Sequence, residues 1–263
     1  MPTILLINDD GIRSIGLVAL KRKLEKLGEV IIVTPEKERS GIGKALTTYA
    51  YIKIKETQLS DGSKAYAITG TPADAFLLAV NKILKRSPDL LVAGINLGPN
   101  LGIDDFLNSG TLGAALEAAI HEVPAIAVSY CVRKILERPS WKDSVTSEEL
   151  ELTATVTQKA AEYVLKKGMP PDVDIISINV PETVKSTDIE LTDLSYKGYH
   201  DIYTKRKRGY KIGGWTLSGY PDDKPGTDIH TIKNESRISI TPIKVRFPHN
   251  KKALKDFLKA LST

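Results

Sequence analysis

The chain has 263 residues, is 41% hydrophobic and 26% charged, and contains 19 Gly and 14 Pro. These ordinary globular proportions exclude disordered, collagen-like and low-complexity readings. A single cysteine, Cys131, excludes an intrachain disulfide and any cluster built on several thiolates.

The formal net charge of +5 is local, because Tyr196–Lys211 holds six Lys/Arg against one Asp and the remainder sums to zero. No apolar run approaches the ~18 residues of a membrane span. The opening MPTILLINDDG has no basic n-region, and its apolar stretch ends in an acidic pair. The expectation is a cytoplasmic protein without a signal peptide or membrane partner.

In chain order, Thr3–Ile7 reads as a buried strand. Leu17, Leu20, Leu24 and Leu27 then recur at helical spacing up to Gly28. Val30–Val33 is a second strand closed by Pro35, and two more are expected near Ala50–Lys55 and Lys64–Ile68. Thr71–Leu84 reads as a helix whose start has a capping-box pattern, with Thr71 as N-cap, Pro72 at N1 and Asp74 at N3. Leu90–Ala93 is a strand, Thr111–His121 an Ala-rich helix and Ala125–Tyr130 the next strand. Ser147–Lys167 is a long helix ended by Gly168 and Pro170–Pro171. Asp174–Asn179 and Ile238–Ile243 read as strands, and Thr187–Gly219 as an extended, Tyr-rich hairpin. Leu254, Phe257, Leu258 and Leu261 line one side of a terminal helix.

This alternation predicts an α/β protein: a Rossmann-like, mostly parallel sheet with helices on both faces, a protruding β-hairpin and a C-terminal helix. No linker divides the chain cleanly. Residues 1–185 are read as the catalytic core. Residues 186–263 are read as the hairpin, late strand and terminal helix, which complete the core or are exchanged between subunits.

Five segments follow predicted strands or open predicted helices: Asn8–Gly11, Glu38–Gly43, Gly70–Asp74, Gly94–Gly98 and Asn108–Thr111. The carboxyl ends of parallel strands share one edge, so segments a hundred residues apart can meet in one crevice there. Asp9 and Asp10 are adjacent carboxylates whose repulsion a divalent cation would relieve, and oxygen-only ligands favour Mg²⁺ or Mn²⁺. An Asx turn capping the first helix fits the same residues. Asn8 and Asp10 have the spacing of a haloacid-dehalogenase motif, but an amide at the nucleophile position cannot form an aspartyl phosphate. Water activated at a metal is the simpler chemistry.

Ser40, Gly41 and Gly43 fit a plain turn, an anion-binding loop of backbone N–H groups, or a hydroxyl ligand. Ser109, Gly110 and Thr111 open a helix, where N–H groups and hydroxyls suit either N-capping or phosphate. Asn96 suits a turn or a hard metal. His121, His200, His230 and His249 show no metal spacing, and no serine lies in a nucleophile elbow.

The strings ILLINDDG (Ile4–Gly11), TPEKERSGIGKALT (Thr34–Thr47), ITGTPADA (Ile68–Ala75), VAGINLGPNLG (Val92–Gly102) and NSGTLGAALEA (Asn108–Ala118) together resemble the SurE family of stationary-phase survival nucleotidases. The resemblance covers about the first half of the chain and continues loosely through TDIHTIKNESRISITPI (Thr227–Ile243). It implies a metal-dependent phosphomonoesterase for nucleoside 5′-monophosphates, with 3′-monophosphates as secondary substrates, and one divalent ion, Mg²⁺ or Mn²⁺, on Asp9, Asp10, Ser40 and Asn96. Asp9 and Asn96 are then the catalytic candidates, and Gly41, Ser109, Gly110 and Thr111 the phosphate-binding ones. Asn108 departs from the family, many of whose members have an aromatic residue before SGT. The resemblance further implies a homodimer or homotetramer that uses the hairpin and the C-terminal segment for exchange between subunits. The alternative is a nucleic-acid-binding protein acting through the basic, Tyr-rich hairpin.

Overall fold

The computed structural model describes residues 1–132, 141–184, 188–199, 202–212, 217–246 and 250–261. His200 and His249, part of the predicted hairpin (213–216 among it) and the last two residues lie outside them.

The elements run β1 (Thr3–Ile7), α1 (Ile15–Leu24), β2 (Glu29–Pro35), β3 (Ile54–Gln58), β4 (Lys64–Ile68) and α2 (Pro72–Leu78). Next come β5 (Leu90–Leu97), α3 (Gly102–Asn108), α4 (Gly110–Ile120), β6 (Ala125–Cys131), α5 (Glu151–Lys167) and β7 (Ile175–Pro181). The second part holds β8 (Ile189–Leu191), β9 (Tyr203–Arg206), β10 (Gly209–Ile212), α6 (Asp228–His230), β11 (Ile238–Ile243) and α7 (Lys255–Leu261). The helix expected over Thr71–Leu84 splits, α2 passing into a π-helical turn at Ala79–Leu84.

Nine strands form one sheet in the order β3-β4-β2-β1-β5-β6-β7-β11-β8. From β4 to β7 every neighbouring pair is parallel. β3 and β11 run antiparallel to their partners β4 and β7. Strands β1, β5 and β6 are buried along their whole length, as strands covered on both faces must be. One face packs Leu17, Leu20 and Leu24 of α1 and Ala154, Ala161 and Val164 of α5 on Ile4, Leu6 and Val92. The other packs Phe76 of α2 and Leu112, Ala115 and Ala118 of α4 on Leu5, Ile7 and Leu91. These are the helices on both faces that the alternating pattern required.

The chain order reverses direction across the sheet between β1 and β5. Strands added after β1 build outward to one side, and those from β5 onward to the other. The loops leaving β1 and β5 therefore part in opposite directions and open a crevice at their carboxyl ends.

The late strand β11 and the short β8 complete the main sheet. The expected hairpin is a separate pair, with Tyr203 opposite Ile212 and Arg206 opposite Gly209, so that Lys207 and Arg208 form its turn. Both of its strands are exposed. No helix among the described residues is long and apolar enough to cross a membrane.

Candidate active site

Asp9 and Asp10 follow β1 directly. The turn that aims them depends on Gly11, whose φ of +92° is open to glycine, and a Cβ there would lie 2.9 Å from the Lys37 carbonyl carbon. Asn8 braces the turn: its Oδ1 accepts from the Gly11 N–H at 3.2 Å and from the Thr34 hydroxyl at 2.6 Å. Asn8 is thus a buried turn-former, which agrees with its exclusion as a nucleophile.

Asp9 is 3% exposed, and its Oδ1 accepts a hydrogen bond from the Thr111 hydroxyl at the start of α4. Gly110 lets α4 come this close, since a Cβ there would sit 2.8 Å from Asp9 Cβ. Asp10 accepts from the Leu97 N–H at 3.0 Å, tying the end of β1 to the end of β5. Its other oxygen forms an ion pair with Lys142, whose Nζ also lies 2.6 Å from Glu38. Burial, then the charge of Asp10, pushes Asp9 up to about 7. Burial also raises Asp10, although Lys142 opposes it. Glu38 is lowered because hydrogen bonds from Lys142 and Ser40 outweigh its partial burial.

The crevice has a volume of about 190 Å³, and its wall includes Asp9, Ser40, Gly41, Asn96, Ser109 and Lys142. Asn96 donates its amide hydrogen to the Gly98 carbonyl at 2.8 Å, which leaves the carboxamide oxygen as the end able to serve as a ligand. Ser40 is exposed and donates to Glu38 at 2.6 Å. The Ser109 hydroxyl caps α4, accepting from the Leu112 N–H at 3.2 Å. α4 is eleven residues long, so its first N–H groups and dipole favour an anion at this wall.

Of the residues expected to act together, Asp9, Ser40, Gly41, Asn96 and Ser109 line one crevice, with Asp10 bound to its rim through Leu97 and Lys142. Thr111 is fully buried behind Asp9 and is not on the wall. Thr71 and Asp74 form the expected capping box, and Asp74 also accepts from the Thr47 hydroxyl at 2.7 Å, a structural role. Lys44, in the loop that carries Ser40 and Gly41, is tied to the buried Glu117 in an ion pair.

Sequence reading missed Glu38, Lys142 and Asp105, all on the crevice wall. Glu38 lies inside the ERSG string already singled out. The acidic pair Asp104–Asp105 after Gly102 was a usable signal. Lys142 sits in an irregular stretch that offered none.

Among the described residues no three His, Cys, Asp or Glu gather as a metal cage. His121 and His230 pair with Glu117 at 3.2 Å and Glu235 at 3.3 Å. The donors at the crevice are instead two carboxylates, an amide oxygen and a hydroxyl. Two buried acids with raised proton affinity, already attracting a lysine, suit a hard divalent cation.

A family model described as Survival protein SurE matches residues 4–201. The chain is 35% identical, over 97% of its length and 99% of the relative's, to a protein of Methanobrevibacter smithii named 5′-nucleotidase SurE. It is 41% identical over 77% of both chains to the protein of the same name from Methanothermobacter thermautotrophicus. Among solved structures, the SurE protein of Aquifex aeolicus superposes with a TM-score of 0.74 at 30% identity, covering 100% of both chains.

Proposed function

The chain belongs to the SurE family and is a 5′-nucleotidase, and from that premise we propose that it hydrolyses nucleoside 5′-monophosphates, and 3′-monophosphates secondarily, with one divalent ion, Mg²⁺ or Mn²⁺. The observation that supports this reading is the meeting of Asp9, Asp10 and Asn96 at the switch point between β1 and β5, across from the start of α4.

In this reading Asp9, Asp10, Ser40 and Asn96 hold the ion. When bound, it supplies Lewis-acid polarisation of the phosphoryl group and of the attacking water. Ser109 and the free N–H groups at the start of α4 bind phosphate, with Gly41 lining the same crevice. Thr111 spends its hydroxyl on Asp9 and so fixes the rotamer of that carboxylate. Asp9 and Asn96 are the catalytic pair.

Residues 1–185 supply this machinery, and residues 186–263 complete the sheet. A cytoplasmic homodimer or homotetramer accords with exposed Leu254, Phe257 and Leu261 on the terminal segment and with the exposed hairpin.

Phosphate release from a panel of nucleotides, with chelator and with metals added back, tests the reading. Chelation is expected to abolish release and Mg²⁺ or Mn²⁺ to restore it. Asp9→Asn and Asp10→Asn are expected to lose at least ~10–100-fold, the loss typical even of residues that only support a metal's ligands. Turnover that survives chelation, or near-normal turnover in both variants at low metal, would overturn the metal assignment.

A further inference from the structure

Asp105 belongs to none of the groups assigned so far. It lies on α3, one turn before Ser109, whose N–H donates to the Asp105 carbonyl at 2.8 Å. Both residues are on the crevice wall. The side chain is held from one side only: Oδ2 accepts from the Leu101 N–H at 2.7 Å and from the Tyr220 hydroxyl. Oδ1 has no hydrogen-bond partner among the described residues, and the residue is 5% exposed. A buried carboxyl with one fixed and one open oxygen, beside a phosphate-type helix start, is positioned to exchange a proton with a bound ester.

We propose that Asp105 is the general acid of the nucleotidase reaction, delivering a proton from Oδ1 to the oxygen of the departing nucleoside. The inference rests on the nucleotidase reading above. In the step, water forms the new P–O bond. The P–O bond to the nucleoside breaks, and its electron pair goes to the nucleoside oxygen. The Asp105 proton converts that oxygen to a hydroxyl. The water's surplus proton passes to solvent, and solvent reprotonates Asp105, so nucleoside and inorganic phosphate are the only products.

The surroundings keep this carboxyl in its acid form at neutral pH. Burial pushes Asp105 up to about 8 against the lowering hydrogen bonds from Tyr220 and Leu101, and the charges of Asp228 and Asp104 add to the rise. Cys131, a further titratable neighbour, is itself held protonated by burial. Tyr220 is likewise pushed well above its ordinary value, first by burial and then by Asp105, so it stays a donor.

The test compares leaving groups. A nucleoside alkoxide needs a proton to depart, whereas the phenolate of p-nitrophenyl phosphate does not. In Asp105→Asn, nucleoside monophosphate turnover is expected to fall by ~10²–10⁴-fold, the usual worth of a positioned acid, and p-nitrophenyl phosphate turnover by far less. Equal losses on both esters would reveal a structural role and overturn the proposal, as would no loss on either.

The wild-type enzyme provides a second measurement that needs no variant. Its kcat for the nucleotide is expected to decline above about 8 while that for p-nitrophenyl phosphate does not. In Tyr220→Phe, which removes a hydrogen bond to the ionised form, the decline is expected to move to higher pH. A shared decline for both esters would count against Asp105. A wild-type enzyme inactive on both esters with metal present would overturn the nucleotidase reading itself, and this inference with it.

Discussion

Lys142 forms an ion pair with Asp10, 132 residues before it in the chain, and the same ammonium lies 2.6 Å from Glu38. A protein cation thus already sits on Asp10, one of the carboxylates that the proposed ion would occupy. The lysine is held charged, because Asp10 and Glu38 raise it against the effect of its burial.

If Lys142 and the ion compete for Asp10, removing the lysine strengthens metal binding. In Lys142→Met, the affinity for Mn²⁺ measured by calorimetry is expected to tighten by about tenfold, which corresponds to ~1.4 kcal/mol. The metal-free variant should melt at a lower temperature than wild type, since two buried acids lose their counter-charge. Unchanged Mn²⁺ affinity would mean that the lysine turns aside before the ion arrives, and weaker affinity that it helps to hold the site together.

Asp105 also leaves a mark on stability. Its proton affinity rises from the ordinary 3.8 in the unfolded chain to about 8 in the fold. Between those values the native state holds a proton that the unfolded state has released. Its contribution is therefore fully present below pH 3.8 and is lost as pH climbs to about 8. One proton sets an upper slope of about 1.4 kcal/mol per pH unit. Asn cannot titrate, yet its carboxamide oxygen can accept from Tyr220 and Leu101. The stability of Asp105→Asn relative to wild type, from urea unfolding, is expected to increase from pH 4 to pH 8 and then level off. A difference independent of pH would show that Asp105 titrates normally.

Much of the crevice was legible because its residues follow strands that are themselves legible. The apolar runs Thr3–Ile7 and Leu90–Ala93 mark β1 and the start of β5, which continues through Asn96 to Leu97, and parallel topology then brings Asp9, Asp10 and Asn96 to one edge. The Thr71–Asp74 capping box could be read directly because all of its bonds are local. β3 was placed several residues early, at Ala50–Lys55 instead of Ile54–Gln58, because it is an edge strand without a buried face and so without alternation. α3 was missed for a related reason: it has seven residues and begins at Leu101 with no side-chain cap. That omission hid Asp105. Lys142 and Tyr220 were illegible because their roles lie in pairings across 132 and 115 residues, which no local pattern encodes.

The basic arm separates catalysis from charge. Lys205 and Arg206 lie on exposed β9, and Lys207 and Arg208 form the turn to β10. The arm is rooted near the crevice: Tyr199 and Tyr220, on either side of it in sequence, meet edge to face with ring centres 5.9 Å apart, and Tyr220 binds Asp105. Its root is thus coupled to the site through aromatic packing and one hydrogen bond, while its charges sit on the solvated strands and turn. Replacing all four basic residues with Gln should leave the root intact. Mononucleotide turnover is then expected to stay within about twofold of wild type at physiological salt, where exposed charges more than a Debye length of ~8 Å away are largely screened. A nucleic-acid-binding arm predicts something different: retention of single-stranded DNA by the wild type, falling steeply with salt, independent of metal and lost in the variant. Sedimentation of the same variant reports whether the arm joins subunits. A severe loss of turnover with the oligomer unchanged would show that the basic turn reaches an active site, and within a symmetric assembly that site would belong to the neighbouring subunit.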